Sequence, residues 1–217
     1  MITISNCICR HSRISLEKPT HAIILLPGRN NSAEMMMDVF SSIFEISRLV
    51  VYSIQPENEW YPIPNGIDDQ VDAVNGLDEN ISSIRDYIFD LLRKDEIKTE
   101  NTVLIGFSAG AVVALELLTK YQDNFSLVVC HSGAILLPDE IKKAETTTEI
   151  MLFHRKDDYC FDWNERYLPM KMNLEEKGYN INCHESSWGN HLIYKTDIET
   201  IYASISNRVV ESNDNLV

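Results

Sequence analysis

The sequence contains no CxxC pair with the spacing of a metal site, and its cysteine count is odd. A disulfide framework or a structural zinc site is therefore not expected. Four of the five cysteines fall in segments that we interpret as strands, so we expect buried free thiols and a reducing compartment. The five residues are Cys7, Cys9, Cys130, Cys160 and Cys183.

Long apolar runs are also absent. No run approaches the length that a membrane-spanning helix needs, and the opening stretch MITISNCICRHSR lacks the apolar region of a signal peptide. We therefore expect a cytoplasmic protein without a transmembrane segment.

Basic residues are scarce beside acidic ones, 19 against 33, and the net charge is -14. A surface of this sign repels nucleic-acid phosphates and anionic lipid head groups, so a nucleic-acid partner is not expected. The same charge is a weak hint towards neutral or cationic substrates. The composition leaves open whether the chain forms a homodimer.

Glycine and proline are sparse, with 8 and 7 residues among 217, while 44% of the residues are hydrophobic. This composition is typical of an ordered globular protein. The sequence shows no repeat, linker or low-complexity segment. We expect a single domain over residues 1–217, with a frayed tail from about residue 208.

Short apolar runs alternate with longer segments of helical periodicity. Several runs, such as AIILL, TVLIGF and LVVC, are apolar at nearly every position, as in strands that are covered on both faces. The predicted strands are Ile2–Cys9, His21–Leu26, Leu49–Ile54, Thr102–Phe107, Leu127–Cys130, Ile150–His154 and Asn180–Glu185.

Five helical segments fall between and after these strands. The second carries an Asn75-Gly76 interruption that would allow two helices, and the fourth ends before Gly178, a typical C′ glycine. This alternation predicts an α/β fold with a mostly parallel central sheet covered by helices on both faces. The segments are 32–47, 67–91, 109–118, 162–177 and 193–209.

Ser108 lies between Gly106 and Gly110, after an apolar strand and before an apolar helix. Glycine at these two positions permits a sharp strand-to-helix turn that exposes the serine hydroxyl at the helix N-terminus. The backbone N–H of Ala109 then points towards the space in front of the hydroxyl. The pattern predicts a nucleophilic serine, although a plain helix N-cap would also fit.

A nucleophilic serine needs a base and an acid, which follow it along the chain in α/β hydrolases. Asp157 and Asp158 come just after a predicted strand, and either one could be the acid. His191 follows the last predicted strand in a glycine-containing loop, and we select it as the base. Two other histidines, His131 and His154, end strands and could border the site.

A second oxyanion donor would lie after the strand at 21–26, where Gly28 allows a tight turn and the N–H of Arg29 faces the site. The aromatic pair Trp60 and Tyr61 lies in a proline-containing loop and would either anchor that loop or form a wall of the substrate pocket. Met36 and its methionine neighbours would line an acyl pocket or pack in the core.

Five motifs together resemble the phospholipase/carboxylesterase family of α/β hydrolases, to which acyl-protein thioesterases belong. The resemblance spans residues 20–205 and implies Ser108 as nucleophile, His191 as base, and the amides of Arg29 and Ala109 as the oxyanion hole. It also favours Asp158 over Asp157 as the acid. The motifs are LLPGRNNSAEMM, WYP, GFSAGA, LFHRKDD and GNHLI.

The family pattern differs at three places. It usually has His-Gly where this chain has Pro27-Gly28, glutamine where it has Ala109, and glycine after the histidine that aligns with His154. The expected activity is cleavage of carboxylic esters or thioesters through an acyl-enzyme, without metal or organic cofactor. A non-catalytic ligand-binding protein that keeps the hydrolase fold is the alternative.

Overall fold

The computed structural model describes residues 6–11, 18–62 and 69–214, and these form strands and helices in close alternation. Short 3₁₀ turns occur at Ser41–Glu45, Thr99–Asn101 and Pro138–Glu140, and a π-helical turn at Trp163–Tyr167. The strands are β1 (Asn6–His11), β2 (His21–Leu26), β3 (Leu49–Gln55), β4 (Thr102–Phe107), β5 (Leu127–His131), β6 (Glu149–Arg155) and β7 (Asn180–Ser186). The helices are α1 (Ala33–Val39), α2 (Asp69–Asp95), α3 (Ala109–Tyr121), α4 (Leu168–Glu176) and α5 (Lys195–Asp214).

The seven strands form one sheet in the order β1-β3-β2-β4-β5-β6-β7. Only β1, at one edge, runs antiparallel to its neighbour, and the other strands are mutually parallel. One hydrophobic cluster contains residues of α2, α3 and α4, and a second contains residues of α1 and α5. The predicted α/β class, with a mostly parallel sheet covered on both faces, is confirmed.

The strand register brings the carboxyl ends of the central strands to one edge of the sheet. Phe107 of β4 pairs with His131 of β5, and His131 pairs in turn with Phe153 of β6. The predicted bounds of β2 and β4 match the observed ones, because both strands are apolar and are followed at once by a turn. The loops that follow β2, β4 and β6 therefore open onto a common edge.

The predicted interruption at Asn75-Gly76 is wrong, because helix α2 continues through both residues without a break. A Cβ atom on Gly76 would overlap the ring of Pro62, so this glycine permits a close approach of the preceding loop. Ile67, which was placed in the same helix, lies outside the described residues. Helix α1 ends at Val39 and gives way to a 3₁₀ turn, short of the predicted Ser47.

Both ends of the chain also differ from the predicted bounds. Strand β1 begins at Asn6 and ends at His11, and the first residues of the predicted strand at 2–9 lie outside the described residues. Helix α5 extends to Asp214 rather than ending at Val209, and residues 215–217 are not described.

The cysteine side chains are less uniformly buried than expected. Cys130 is buried, but Cys183 is only partly buried and Cys160 is exposed, and all three are free thiols. The side chains of Cys7 and Cys9 lie outside the described part of the chain.

Helix α4 ends just before Gly178, as the sequence predicts. Gly178 has φ +85° and lies just after the last helical turn. Its N–H donates to the carbonyl of Glu175, and the N–H of Tyr179 donates to the carbonyl of Leu174. These two bonds form a Schellman motif, which satisfies carbonyl groups that the helix leaves without partners and turns the chain into β7.

Helix α3 is buried over most of its surface, and Glu116 is the acidic residue in it. One carboxylate oxygen of Glu116 accepts a hydrogen bond from the N–H of Leu136 at 3.2 Å. Burial raises the pKa of Glu116 to about 7, and the nearby carboxylates of Asp78 and Glu140 add to this while Lys120 opposes it. Ionisation of Glu116 therefore opposes folding at alkaline pH.

The pKa of Glu116 predicts a measurable pH dependence of stability. Because the pKa is higher in the folded than in the unfolded chain, this stabilising contribution is full below the unfolded value and is lost as pH rises through about 7. Glu116→Gln should remove up to about 3 kcal/mol of the fall in unfolding free energy between about pH 5 and pH 8. Urea denaturation at both pH values measures this, with the exposed Glu79→Gln as control. Parallel pH dependence in wild type and Glu116→Gln would contradict it.

Candidate active site

Ser108 occupies a strained turn between β4 and α3, with φ 53° and ψ -120°. Side-chain-bearing residues rarely adopt this conformation, which typically costs about 1–3 kcal/mol. A Cβ on Gly106 would lie 2.5 Å from the Cα of Ala111, and a Cβ on Gly110 would overlap the carbonyl of Leu26. Both flanking glycines are therefore required for the close approach of α3 to β4 and to the end of β2.

The serine, the selected base and one of the two candidate acids form a continuous chain of hydrogen bonds. The Oγ of Ser108 lies 2.8 Å from Nε2 of His191, and Nδ1 of His191 lies 2.8 Å from Oδ2 of Asp158. An ionised carboxylate can only accept, so Nδ1–H of His191 donates to Asp158 and Nε2 is left to accept from the serine hydroxyl. This is the tautomer that a general base requires.

Asp158 is held ionised although it is only 5% exposed. Burial alone would raise the pKa of its carboxyl group, but hydrogen bonds from His191 and from the N–H groups of Phe161 and Cys160 outweigh burial and lower the pKa. The two backbone N–H groups lie 2.9 and 2.8 Å from Oδ1. The loop after β6 thus stabilises the negative charge that faces His191.

Asp157 makes a different set of contacts from its neighbour. Its two carboxylate oxygens accept from the N–H groups of Gly189 and Asn190 at 3.1 and 2.9 Å. Asn190 has φ 55°, in the left-handed region that asparagine adopts more readily than most residues with a side chain. Of the two adjacent aspartates, one faces the imidazole of His191 and the other holds the start of the loop that carries His191.

A second buried network holds the end of the same loop. Oδ2 of Asp197 lies 3.0 Å from Nε2 of His131, 2.5 Å from a terminal nitrogen of Arg155 and 3.0 Å from the N–H of Tyr194. Burial would raise the pKa of Asp197, but these donors lower it. The contact with Tyr194 also caps the N-terminus of α5, in which Asp197 lies in the first turn.

His131 is fully buried and does not touch the catalytic candidates through a hydrogen bond. Burial lowers the pKa of His131 against the opposing effect of Asp197, so the ring is neutral, with its Nε2–H directed at Asp197. Its Nδ1 lies 3.2 Å from the hydroxyl of Ser132. His131 thus borders the site as anticipated but supports α5.

His154 supports the loop that carries the acid. Its Nε2–H donates to the carbonyl of Phe161 at 2.9 Å, and its ring stacks on Tyr167. Burial lowers the pKa of His154, which keeps it neutral in this role.

The residues that carry the two proposed oxyanion donors line the cavity that contains Ser108. Ala109 is the first residue of α3, whose first N–H groups have no acceptor within the helix. Arg29 lies in the turn after β2, which closes with a bond from the N–H of Asn31 to the carbonyl of Gly28. A Cβ on Gly28 would lie 2.9 Å from Cβ of Ser108, so this turn passes directly over the serine.

Trp60 does not form the wall of the substrate pocket that the sequence offered as one of its two roles. It is 3% exposed, does not line the cavity of Ser108, and its Nε1–H donates to the carbonyl of Pro27 at 2.8 Å. Trp60 thus anchors the Pro27-Gly28 turn, the loop-anchor alternative raised from the sequence. Its neighbour Tyr61 and the predicted Met36 do line the cavity, as does Met35, whereas Met37 packs in the core.

The cavity has a volume of about 950 Å³, within the range of small-molecule sites. Aromatic rings enclose the imidazole of His191, with ring centres 5.1–6.0 Å away. Aliphatic side chains form much of the remaining wall. The aromatic residues are Phe107, Tyr159 and Phe161, and the aliphatic ones are Val39, Ala134, Ile135, Leu136, Leu192 and Ile193.

Three side chains at the site carry donor atoms of metal-binding type. Atoms of Asp158, Cys160 and His191 lie within 4.8 Å of one another. Asp158 and His191 already share a hydrogen bond, so an ion would have to compete with the contact that orients the imidazole.

Sequence reasoning missed Asp157 and Asp197 as supports of the His191 loop. A signal for Asp197 was present, because an acidic residue in the first turn of a helix often accepts from the N-cap amide. The partnership of Asp197 with Arg155 and His131 had no local signal, since the three residues are far apart in the sequence.

Comparison with known proteins places the chain in a family and identifies solved structures with the same fold. A model of the phospholipase/carboxylesterase family matches residues 17–208. Similar solved structures include esterase PE8, with a TM-score of 0.80 and 16% identity over 95% of this chain and 98% of that one. A phospholipase/carboxylesterase from Dyadobacter fermentans has a TM-score of 0.75 and 18% identity, covering 94% and 98%. The carboxylesterase of Bacillus cereus has a TM-score of 0.75 and 16% identity, covering 96% and 95%. At these identities the structures show the shared fold.

The adjacent aspartates provide a matched pair of variants. Asp158→Asn should slow the reaction of Ser108 with a fluorophosphonate by about 10³-fold or more, because an asparagine amide cannot stabilise the imidazolium or hold its tautomer. Asp157→Asn should slow it by less than about 10-fold, because its amide oxygen can still accept from one of the two N–H groups of the loop. Labelling rates followed by intact mass test this. Equal losses in the two variants would contradict the assignment of Asp158.

Asp197 also allows a comparison of a buried with an exposed ion pair. Asp197→Asn leaves the buried guanidinium of Arg155 without a carboxylate and should lower the unfolding free energy by about 3 kcal/mol. Asp90→Asn removes the partner of Arg93 on the exposed surface of α2. This variant should change the unfolding free energy by less than about 1 kcal/mol. Urea denaturation measures both, and a similar small loss in both variants would argue against the network.

Proposed function

The chain belongs to the phospholipase/carboxylesterase family of α/β hydrolases, and from this premise we propose that it cleaves carboxylic esters or thioesters through an acyl-enzyme on Ser108. Family membership makes it an esterase-type hydrolase. The finer proposal concerns the covalent intermediate and the residues that form and resolve it.

One observation carries the proposal. The chain of hydrogen bonds from Ser108 through His191 to Asp158 opens onto an apolar cavity at the carboxyl edge of the sheet. A serine N-cap without a catalytic role would not need an imidazole at 2.8 Å or a buried carboxylate behind that imidazole. The non-catalytic binding protein, the alternative from sequence, gives no reason for this alignment.

In the acylation step the Oγ of Ser108 attacks the carbonyl carbon while its proton moves to Nε2 of His191. The carbonyl oxygen becomes an oxyanion and accepts hydrogen bonds from the N–H groups of Arg29 and Ala109. Asp158 stabilises the imidazolium through Nδ1–H. When the intermediate collapses, Nε2–H protonates the leaving alcohol or thiol, and the acyl group stays on Ser108.

Deacylation repeats these steps with water as the nucleophile. Nε2 of His191 accepts a proton from water as the oxygen attacks the acyl carbon, and the same two amides bind the oxyanion. Collapse breaks the bond to Oγ, returns the proton to Ser108 and releases a carboxylic acid. The steps balance without any metal or organic cofactor.

The cavity wall supports an apolar part of the substrate next to the scissile bond. Met36 lies on the wall at 3% exposure, and aliphatic residues continue the surface. Tyr61 is similarly buried at 4% and adds a hydroxyl group to this wall. The substrate in this proposal is a small-molecule ester whose acyl portion is at least partly hydrocarbon.

The protein acts in this proposal as a single cytoplasmic domain. The free thiols of Cys130, Cys160 and Cys183 support a reducing compartment. In the part of the chain that the structure describes, no helix combines the length and hydropathy that crossing a membrane requires. A homodimer is compatible with the proposal and is not needed for it, because one chain supplies every group named above.

A fluorophosphonate probe tests the proposal without a guess at the substrate. We expect a single adduct, mapped to Ser108 by peptide mass, that is lost in His191→Ala. Ser108→Ala should also lower ester hydrolysis by about 10³-fold or more, because it removes the attacking oxygen. Ser41→Ala, at an exposed serine outside the cavity wall, is the control. Near-normal ester hydrolysis by folded Ser108→Ala would overturn the mechanism.

A further inference from the structure

The charge of the cavity wall differs from that of the whole protein. The sequence has 33 acidic and 19 basic residues, yet the described residues that line the cavity include two arginines and neither Asp nor Glu. The two are Arg29 and Arg166. The side-chain amides of Asn30 and Asn31 lie on the same wall and add hydrogen-bond donors.

Arg29 lies in the turn after β2 that passes over Ser108, and its backbone N–H is one of the two proposed oxyanion donors. Its Nε lies 3.0 Å from Oε1 of Glu59, and 47% and 41% of the two side chains are exposed. An exposed pair of this kind contributes little to stability. A guanidinium has five N–H donors, and a contact through Nε leaves its terminal nitrogens available to a ligand in the cavity.

Arg166 reaches the cavity from a π-helical turn, Trp163–Tyr167. The carboxylate of Asp162 caps this turn by accepting from the N–H groups of Asn164 and Glu165, and its carbonyl accepts from the N–H of Arg166. Single π turns change the direction of the side chains that follow and occur frequently at functional sites. Here the turn carries a half-buried cation to the wall of the cavity.

Both arginines line the same cavity as Tyr61. Burial raises the pKa of the Tyr61 hydroxyl, Glu116 and Glu59 raise it further, and Arg166 lowers it. Glu59 is also the residue that contacts Arg29. Since burial raises its pKa, Tyr61 keeps its proton and can donate a hydrogen bond to a ligand in the cavity.

We propose that the substrate carries a negatively charged group, a carboxylate or a phosphate, which binds between Arg29 and Arg166 beside Tyr61. Guanidinium groups bind both anions through paired, charge-assisted hydrogen bonds. The apolar wall holds the hydrocarbon between this anion and the scissile ester. The net charge of the protein pointed towards neutral or cationic substrates, and the local charge of the cavity reverses that expectation. This inference rests on the ester hydrolysis proposed above.

The test uses pairs of phenyl esters that differ in one terminal charge. The phenyl monoester of adipic acid is compared with its neutral carboxamide, which has the same shape. The phosphate ester of phenyl hydroxyhexanoate is compared with the free hydroxy compound. Suberic acid derivatives extend the chain. Phenol release, corrected for the rate without enzyme, gives kcat/KM for each compound, and the preferred pair identifies the anion.

We expect wild type to favour a charged member over its neutral partner by about 10-fold or more in kcat/KM. Arg166→Gln and Arg29→Gln should each lower this ratio by at least about 5-fold. Arg166→Lys should retain more of the ratio than Arg166→Gln, because it keeps the charge. Arg93→Gln removes the same charge from the exposed end of α2 and should leave the ratio unchanged.

The outcomes separate this inference from the function on which it rests. A fluorophosphonate adduct on Ser108 together with a ratio near or below one for both pairs would overturn the inference alone. A high ratio that survives both glutamine substitutions would overturn the assignment to Arg29 and Arg166. No adduct and no hydrolysis of any ester, in folded protein, would overturn the function and the inference together.

Discussion

The backbone at Ser108 is the constraint on which the rest of the site depends. A residue with φ 53° and ψ -120° persists only where the surrounding structure holds it, and here β4 and α3 are both buried along nearly their whole length. Gly106 and Gly110 allow α3 to pack against the carbonyl ends of β4 and β2 without a clash. The same packing places the N-terminus of α3, and with it the amide of Ala109 that we propose as an oxyanion donor, beside the serine.

The proposed base, His191, requires a second, separate set of constraints, because it comes from a loop and not from the sheet. Asp157 holds the beginning of that loop through two backbone amides, and Asp197 holds its end through Tyr194. Both carboxylates are placed by β6 or α5, elements that are packed on the core. His191 therefore lies between two fixed points, and a shift of either would move Nε2 relative to the hydroxyl of Ser108.

Local patterns were sufficient to predict most strands of the sheet and the tight turn at Ser108. The continuous apolar runs of β2 and β4 predict strands that are covered on both faces. The glycine spacing around Ser108 predicts a tight turn. Both signals come from residues that are adjacent in the sequence. The continuity of α2 could not be inferred in this way. Gly76 lies within the helix because Pro62, in the preceding loop, packs where a side chain would be. The bond from Trp60 to Pro27 is likewise a contact between distant segments. Such contacts have no periodicity that a sequence could display.

The net charge of the protein and the charge of the cavity wall also differ. The net charge of -14 describes the field that a distant molecule meets, and salt screens that field within about 10 Å. A ligand inside the cavity meets instead the few groups that line it, and among the charged ones Arg29 and Arg166 face it at close range. Short contacts in a partly desolvated site outweigh a screened field from the outer surface. The local charge of the cavity wall is therefore set by the turn after β2 and the π-helical turn before α4, which the fold brings to one cavity.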